Sequence, residues 1–469
     1  MPGIAHVGFD FGSSLIKVAV RLEDVGESGM GADAAFGMAF RGTARERPYE
    51  VFRPTAIHVG NGSIYLRDPP EDARRIGGIK ERLMGAHHPQ GEPLLDAALE
   101  DSGLTLHEAA ALLLASAMSD VRMAIAAYVA DRQTLYPDTV LVNCAVPSSD
   151  TMSAQTRDAL SETACPHRRG FQKLVERVRR ATFAPGAVPT PGRLTISDAR
   201  DVARRIIGLP LPTDLGDWGT SCIPEALAAV VAAGRHPQFR QGLFMVFDIG
   251  AYTTDASLFH FHPGQDYRIM VYYGIGSSRA GIGSDRTTLP ANDLACLRGR
   301  LQDMYAAMLE AMIVEHGDEF RRQMLRDHPR PNSPKWIPVV LGGGATFPEI
   351  RQAVGGLNLP SRHEGAYRVT PMGRQPATFP TETFSHVVFI RRASGRKTET
   401  IAALRQGPAR PRFVDAIERP SHILQLAMGL ASSVFNVPTW SAAEPVVADR
   451  RPASIPSESW QQFHPWTGL

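Results

Sequence analysis

The sequence predicts an α/β protein of two lobes built on one plan, and three observations carry that reading. Apolar strand-like runs alternate with long helical stretches. An apolar run ending in Asp-x-Gly and hydroxyl residues occurs twice, as Asp10-Phe11-Gly12-Ser13-Ser14 and as Asp248-Ile249-Gly250-Ala251-Tyr252-Thr253-Thr254-Asp255. A triple-glycine loop, Gly342-Gly343-Gly344, follows a third buried-type run, Val339-Val340-Leu341. Two hairpins of one kind, far apart in the chain, point to two lobes that face each other across a ligand cleft, each a mixed β-sheet flanked by helices.

In chain order, Ala5–Leu22, Thr139–Asp150, Leu243–Phe259 and Trp336–Val354 read as strand, tight Gly/Ser/Thr turn, then a second strand or helix. Helical stretches are expected at Leu106–Ala130, Ser197–Ile207, Ile223–Ala233 and Asn292–Asp327. The most apolar of these, Ala109–Ala130, is interrupted by Asp120 and Arg122, so it reads as a buried core helix rather than a bilayer span. Pro/Gly/Arg-rich stretches at Ala184–Arg193 and Gly407–Arg412 read as surface connections. Residues 438–469 carry many prolines and Trp440, Trp460 and Trp466 in no period, the pattern of a poorly ordered tail or a docking peptide.

Composition bounds the function. A chain of 469 residues can bury a sizeable core in two or three domains. With a formal net charge of +2 there is no overall field to draw nucleic acid or an anionic membrane, and neither partner is expected. The Arg pairs 204–205, 321–322 and 391–392 are scattered and read as solvated faces. Cys144, Cys165, Cys222 and Cys296 form no CxxC pair, which argues for a reducing, cytoplasmic setting. The first residues run almost directly into an apolar strand with no signal-peptide pattern.

The Asp-x-Gly hairpins carry the chemistry. Gly12 and Gly250 let backbone approach a phosphate closely, and neighbouring N–H groups then form an anion nest. Ser13, Ser14, Thr253 and Thr254 add hydroxyl donors, and Lys17 on the returning strand can reach a β-phosphate. Asp10 and Asp248 can hold a hydrated Mg²⁺, which needs only one or two carboxylates. Gly342, Gly343 and Gly344 permit close approach of a flat group such as adenosine and set a helix N-terminus nearby. Neither a GxxxxGK[ST] loop nor a GxGxxG turn immediately after a strand is present. His87-His88 has no matching ligand cluster and reads as surface loop, and Ser148 lacks a Gly-x-Ser-x-Gly elbow, so it is no hydrolase nucleophile.

Taken together, these residues resemble the actin-like (ribonuclease H-like) ATPase superfamily, with its two phosphate loops and adenosine loop in order. Within it the sequence is most similar to DnaK-type heat-shock chaperones. Ile79-Lys80-Glu81-Arg82-Leu83-Met84-Gly85 resembles the stretch whose lysine contacts the transferred phosphate, which implies that role for Lys80. Cys144-Ala145-Val146-Pro147-Ser148-Ser149-Asp150 resembles a Thr-Val-Pro-Ala strand end, and Gly281-Ile282-Gly283-Ser284-Asp285 stands where the family has Leu-Gly-Gly-Glu-Asp. Leu424–Val434 resembles the helix that closes the ATPase unit on its first lobe. The resemblance implies lobe I over 1–220 with a basic insertion near 165–215, and lobe II over 221–420 with an insertion near 355–420. A closing helix over 421–437 and the tail over 438–469 would follow. It implies ATP/ADP and Mg²⁺ as cofactors, with Lys80, Asp10 and Asp248 as the catalytic set.

Departures from the pattern bear on turnover. Ala251 and Tyr252 replace two glycines of the second phosphate loop, Thr346 stands where an arginine stacks on adenine, and Ile223 occupies the position of a water-organising glutamate. Losing such a charge-stabilising group costs on the order of 10²-fold or more in rate. No β-rich substrate-binding domain follows Val434. The expectation is therefore an ATP-dependent, chaperone-like conformational switch with slow or impaired hydrolysis, acting on an unknown protein partner or client. The alternatives are an actin-like filament or a pilus or division adaptor, and a small-molecule kinase of the same fold.

Overall fold

The computed structural model describes residues 3–23, 34–41, 49–50, 53–83, 99, 102–132, 135–146, 166–214, 217–225, 228, 242–250, 253–263, 268–278, 290–306, 335–357, 370–371, 387–392, 398–401, 427, 429–431 and 439–442. The chain divides into two compact units. One comprises Met1–Val146, Cys165–Ile223 and Thr381–Ser433, and the other Pro147–Ala164, Pro224–Pro380 and Val434–Leu469.

The first unit is organised by β1 (Ile4–Phe11), β2 (Leu15–Glu23), β3 (Ala34–Arg41), β4 (Thr139–Val146) and β5 (Thr220–Pro224). Their order across the sheet is β5-β4-β1-β2-β3, with β1 antiparallel to β2, β2 antiparallel to β3, and β1 parallel to β4. β1 is buried along nearly its whole length, as a central strand covered on both faces must be.

The second unit repeats this plan. β6 (Gly242–Ile249), β7 (Thr254–Pro263), β8 (Arg268–Ser278), β9 (Lys335–Leu341) and β10 (Thr370–Pro371) lie in the order β10-β9-β6-β7-β8. Here too β6 is antiparallel to β7, β7 to β8, and β6 is parallel to β9. Each sheet also gains a strand parallel to the end of its meander: β11 (Val387–Arg392) beside β3, and β12 (Thr439–Ala442) beside β8. The fold is α/β, and the repeated three-strand meander with a parallel strand beside its first member agrees with the two-lobe plan expected from the sequence. β11 falls in the stretch read from sequence as an insertion of the second lobe, yet its hydrogen-bonding partner is β3.

The helix α1 (Leu106–Arg132) lies in the core of the first unit. A capping box starts it: the Glu108 amide donates to Thr105 Oγ1 at 3.1 Å, and the Thr105 amide to Glu108 Oε2 at 2.9 Å. The run Ala109–Ala115 is buried without interruption, which is why the helix shows no polar face. Its Leu106–Ala126 window is long and apolar enough to cross a membrane by composition, but 83% of that window is buried inside the protein. Asp120 is held by Arg53 at 3.2 Å and Arg67 at 2.9 Å, so the charge that interrupts the run is paired.

α2 (Pro166–Phe183) and α3 (Ile196–Ile207) pack on α1 and on each other. The basic stretch near 165–215 is thus wired into its own unit. Arg179 pairs with the buried Glu176, Arg177 donates to the Leu209 carbonyl, Arg204 pairs with Glu108, and Arg193 lies over the Tyr65 ring. One helical expectation shifts: Ile223, read as a helix start, lies within strand β5, and helical backbone is first described at Glu225. The β-branched Thr220 and Ile223 suit the strand, and Pro224 ends it. Of Asn292–Asp327, residues 291–306 are helical and the rest lie outside the described residues.

The helical residues around Ala427 and Ala431 rest on the sheet where it offers the least side chain. Gly8 lies opposite Ala19 on β2 and opposite Asn143 on β4. A Cβ on Gly8 would stand 1.8 Å from the Ala427 carbonyl oxygen and 2.4 Å from the Ala431 nitrogen. Asn143 Nδ2 donates to the Leu430 carbonyl at 2.7 Å, and Ala19, Ala427 and Ala431 form a buried cluster. Gly8→Ala is expected to lower stability by about 1–3 kcal/mol by prising this contact apart. Gly170→Ala, at a helical position with open space around it, should raise stability by about 0.5–1 kcal/mol. Urea unfolding of both variants checks the opposite signs.

Candidate functional site

The two hairpins close in the same way. The Gly12 amide donates to the Leu15 carbonyl at 3.0 Å, and the Gly250 amide donates to the Thr253 carbonyl at 2.8 Å. Register then fixes what stands opposite each aspartate. Asp10 faces Lys17, whereas Asp248 faces Asp255. Asp10 is almost wholly buried, and Lys17 Nζ reaches its Oδ2 at 2.5 Å. A buried carboxylate requires such a partner, because desolvation otherwise costs several kcal/mol. Gly12, Ser13, Ser14, Gly250 and Thr253 remain partly exposed, while Thr254 and Asp255 are buried. Of the hydroxyl residues proposed as phosphate donors, Ser13, Ser14 and Thr253 thus lie at the turns and Thr254 is buried at the start of β7.

Lys80 sits in a short helix, Ile79–Leu83, that follows Gly78 in a left-handed conformation at φ +66. It is among the largest fully buried side chains of the unit. Cys144, in β4 next to Phe9, reports its surroundings. Burial pushes its thiol well above the usual range, the neighbouring Cys222 and Asp10 push it the same way, and Lys80 and the Phe11 amide oppose them. Asp10, Lys17, Lys80, Cys144 and Cys222 are therefore gathered around the end of β1. Sequence reasoning did not single out Cys144 and Cys222 as members of this group; Cys144 lies in a strand-like run, and Cys222 directly precedes the stretch that reads as helical from Ile223.

In the second unit, Gly342 has φ +74, and a Cβ there would stand 2.2 Å from Asp248 Oδ1 and 2.7 Å from the Ile249 carbonyl oxygen. A Cβ on Gly344 would meet Ile249 Cβ at 2.6 Å. The space these glycines leave is filled by the end of the Asp248 hairpin, so close packing of loop on hairpin already requires them. Gly343 lies between them in a single 3-10 turn, and Pro348 at N1 starts the helix Pro348–Gly355.

Ile223 is buried in β5 next to Cys222, and Glu225 is buried beyond Pro224. Tyr252, Ala251, Gly85, Ser148, His87-His88 and Gly281–Asp285 lie outside the described residues. Among the described residues, no three His, Cys, Asp or Glu side chains gather as a metal cage. A nucleotide-borne Mg²⁺ does not need one, since it keeps several waters and takes one or two carboxylates. Asp248 is partly exposed and faces Asp255, whereas Asp10 is buried and its Oδ2 is engaged by Lys17.

No family model matches the chain, and no curated protein does. Solved structures similar to it include the Ppx/GppA phosphatase of Aquifex aeolicus, at 10% identity over 75% of this chain and 74% of that one, with a TM-score of 0.26. MreB5 of Spiroplasma citri, solved bound to ADP, aligns at 14% identity over 80% of this chain and 93% of that one, with a TM-score of 0.32. The fold assignment rests on the strand order of the two sheets.

Thiol chemistry tests the packing of the site. Cys296 is exposed, Cys222 partly so, and Cys144 is buried with a raised pKa. With iodoacetamide at pH 8, Cys296 should alkylate first and Cys222 more slowly. Cys144 should react only on unfolding, and raising the pH to 9 should not bring it level with Cys296, because a raised pKa keeps its thiolate fraction small. Peptide mass spectrometry over time reads all three.

Proposed function

We propose that this chain binds an adenine nucleotide by its phosphates at the Asp10 and Asp248 hairpins and works as a nucleotide-operated conformational switch. The observation that carries this is the duplication itself. Each unit holds one Asp-x-Gly turn at the end of its central strand, closed by the same glycine hydrogen bond and flanked by a parallel strand. A tight turn of small residues can present backbone amides to an anion, and a carboxylate at its base can hold the cation that accompanies it.

On this reading Lys17 and Lys80 supply positive charge to the phosphates, and the turn amides and the Ser13, Ser14 and Thr253 hydroxyls donate hydrogen bonds. A bound Mg²⁺ would neutralise phosphate charge, with Asp10 and Asp248 as the carboxylates available to hold it. Of the third loop, the partly exposed Gly343 would meet the nucleoside end, while Gly342 and Gly344 pack the loop against the Asp248 hairpin. With Ile223 in the place of a water-orienting glutamate, Lys80 would stabilise charge on the terminal phosphate without a partner to orient water, and turnover would be slow. The chaperone-type switch is the finer form of the proposal, acting on a protein partner through the ATP- and ADP-bound populations. Nucleotide-dependent pelleting would favour the filament alternative.

The test is calorimetry with Mg²⁺-ATP and Mg²⁺-ADP on the whole chain and on Lys80→Met, which keeps much of the buried stem. Wild type should bind both nucleotides. Lys80→Met should lose about tenfold or more in ATP affinity and distinctly less in ADP affinity, as one charge-assisted contact of about 1.5–3 kcal/mol is removed. Absence of wild-type binding at millimolar nucleotide sinks the proposal.

A further inference from the structure

One residue that belongs to neither hairpin holds the first turn in place. Thr55 is wholly buried. Its amide donates to the Ser14 carbonyl at 2.8 Å, and its Oγ1 hydroxyl donates to the Gly12 carbonyl at 2.7 Å. The Leu15 carbonyl is already taken by the Gly12 amide. Three of the turn's carbonyls are therefore committed within the protein, while the Ser13 and Ser14 amides make no backbone hydrogen bond among the described residues.

A trans peptide points its C=O and N–H in opposite directions. Tying the Gly12 carbonyl to Thr55 therefore turns the Ser13 N–H away from Thr55, and tying the Ser14 carbonyl does the same for the Leu15 N–H. Thr55 is itself fixed from behind. The two-residue strand Arg53–Pro54 pairs with Leu15 and Ile16 on β2. Arg53 is buried and donates to the Leu66 carbonyl at 2.6 Å, and to Ser116 Oγ and Asp120 Oδ2, both at 3.2 Å and both on α1. The core helix thus anchors the residue that orients the turn.

We propose that Thr55 is the positioning residue of the first phosphate loop: its hydroxyl fixes the Gly12–Ser13 peptide so that the Ser13 amide is set toward a phosphate oxygen before ligand arrives. This rests on the nucleotide-binding reading above. Such preorganisation raises affinity by removing the ordering cost from the binding step.

The experiment compares wild type, Thr55→Val and Thr55→Ser by Mg²⁺-ATP calorimetry, thermal unfolding, and hydrogen exchange of peptides covering 9–18. Valine keeps the shape and the Ser14 tether but removes the hydroxyl. It should raise Kd about tenfold and speed exchange in 9–18 with other peptides unchanged. Serine, which restores a donor, should return Kd to within about twofold of wild type. A purely structural threonine would lower the unfolding temperature and leave Kd alone, and that result overturns the proposal. So does a serine variant that binds as poorly as the valine variant. If wild type binds no nucleotide, the binding reading is what fails, and exchange then decides the clamp alone: unchanged rates in 9–18 overturn it, and faster rates uphold it.

Discussion

The architecture of the first unit depends on keeping one charge at the buried end of an apolar strand. β1 delivers Asp10 into the interior, where an isolated carboxylate would be costly. What makes it tolerable is register. The Gly12–Leu15 closure sets Phe11 against Ile16 and therefore Asp10 against Lys17. A slip of one residue would face the carboxylate with an apolar side chain and turn β2's core residues over to the other face. The turn, the ion pair and the burial of β1 are one constraint, and removing either charged partner would cost on the order of 3–5 kcal/mol.

The second unit uses the same backbone solution with different charges. Asp255 stands where Lys17 stands, so the equivalent of the ion pair is a pair of carboxylates. Duplication of the plan thus sets a lysine opposite the first aspartate and a second carboxylate opposite the other. The same glycine-closed turn serves both arrangements. The packing above each turn differs as well: Thr55 and Arg53 fasten the first turn to a core helix, and Gly342 and Gly344 fit the third loop against the second.

The hairpins were legible in the sequence because their determinants are local. An apolar run, Asp-x-Gly and hydroxyl residues lie within a few positions of each other, and β1–β2 and β6–β7 follow from them. The long core helix was legible from its apolar length. The Thr55 clamp was not, because it joins residues 43 apart and a lone threonine in a short strand carries no pattern. The small sheet of Ile57–Gly60, Ser63–Tyr65, Arg74–Ile76 and Arg193–Thr195 escaped for a related reason: strands of three or four residues show too little alternation to read. The glycines of the third loop were recognised as places of close approach, but what approaches them in the protein is Asp248 and Ile249. Ile223 was read as helical because apolar residues follow it, whereas its hydrogen bonding belongs to the sheet.

On the proposed reading, grip and turnover separate physically. Phosphate binding draws on backbone amides, glycine-closed turns and lysines whose positions are set by register and burial, and these are built into the core. Orienting water draws on one carboxylate near the end of β5, where this chain places the buried Ile223 with Cys222 beside it. Glu225 cannot be slid into that position by a small rotamer change, since Pro224 ends the strand between them and Glu225 is itself buried with partners of its own. A site that keeps the first set and lacks the second holds its ligand without consuming it quickly. The lifetime of the bound state is then governed by ligand exchange and by whatever partner prefers one state, because a ligand shifts a conformational equilibrium only through its differential affinity for the two forms.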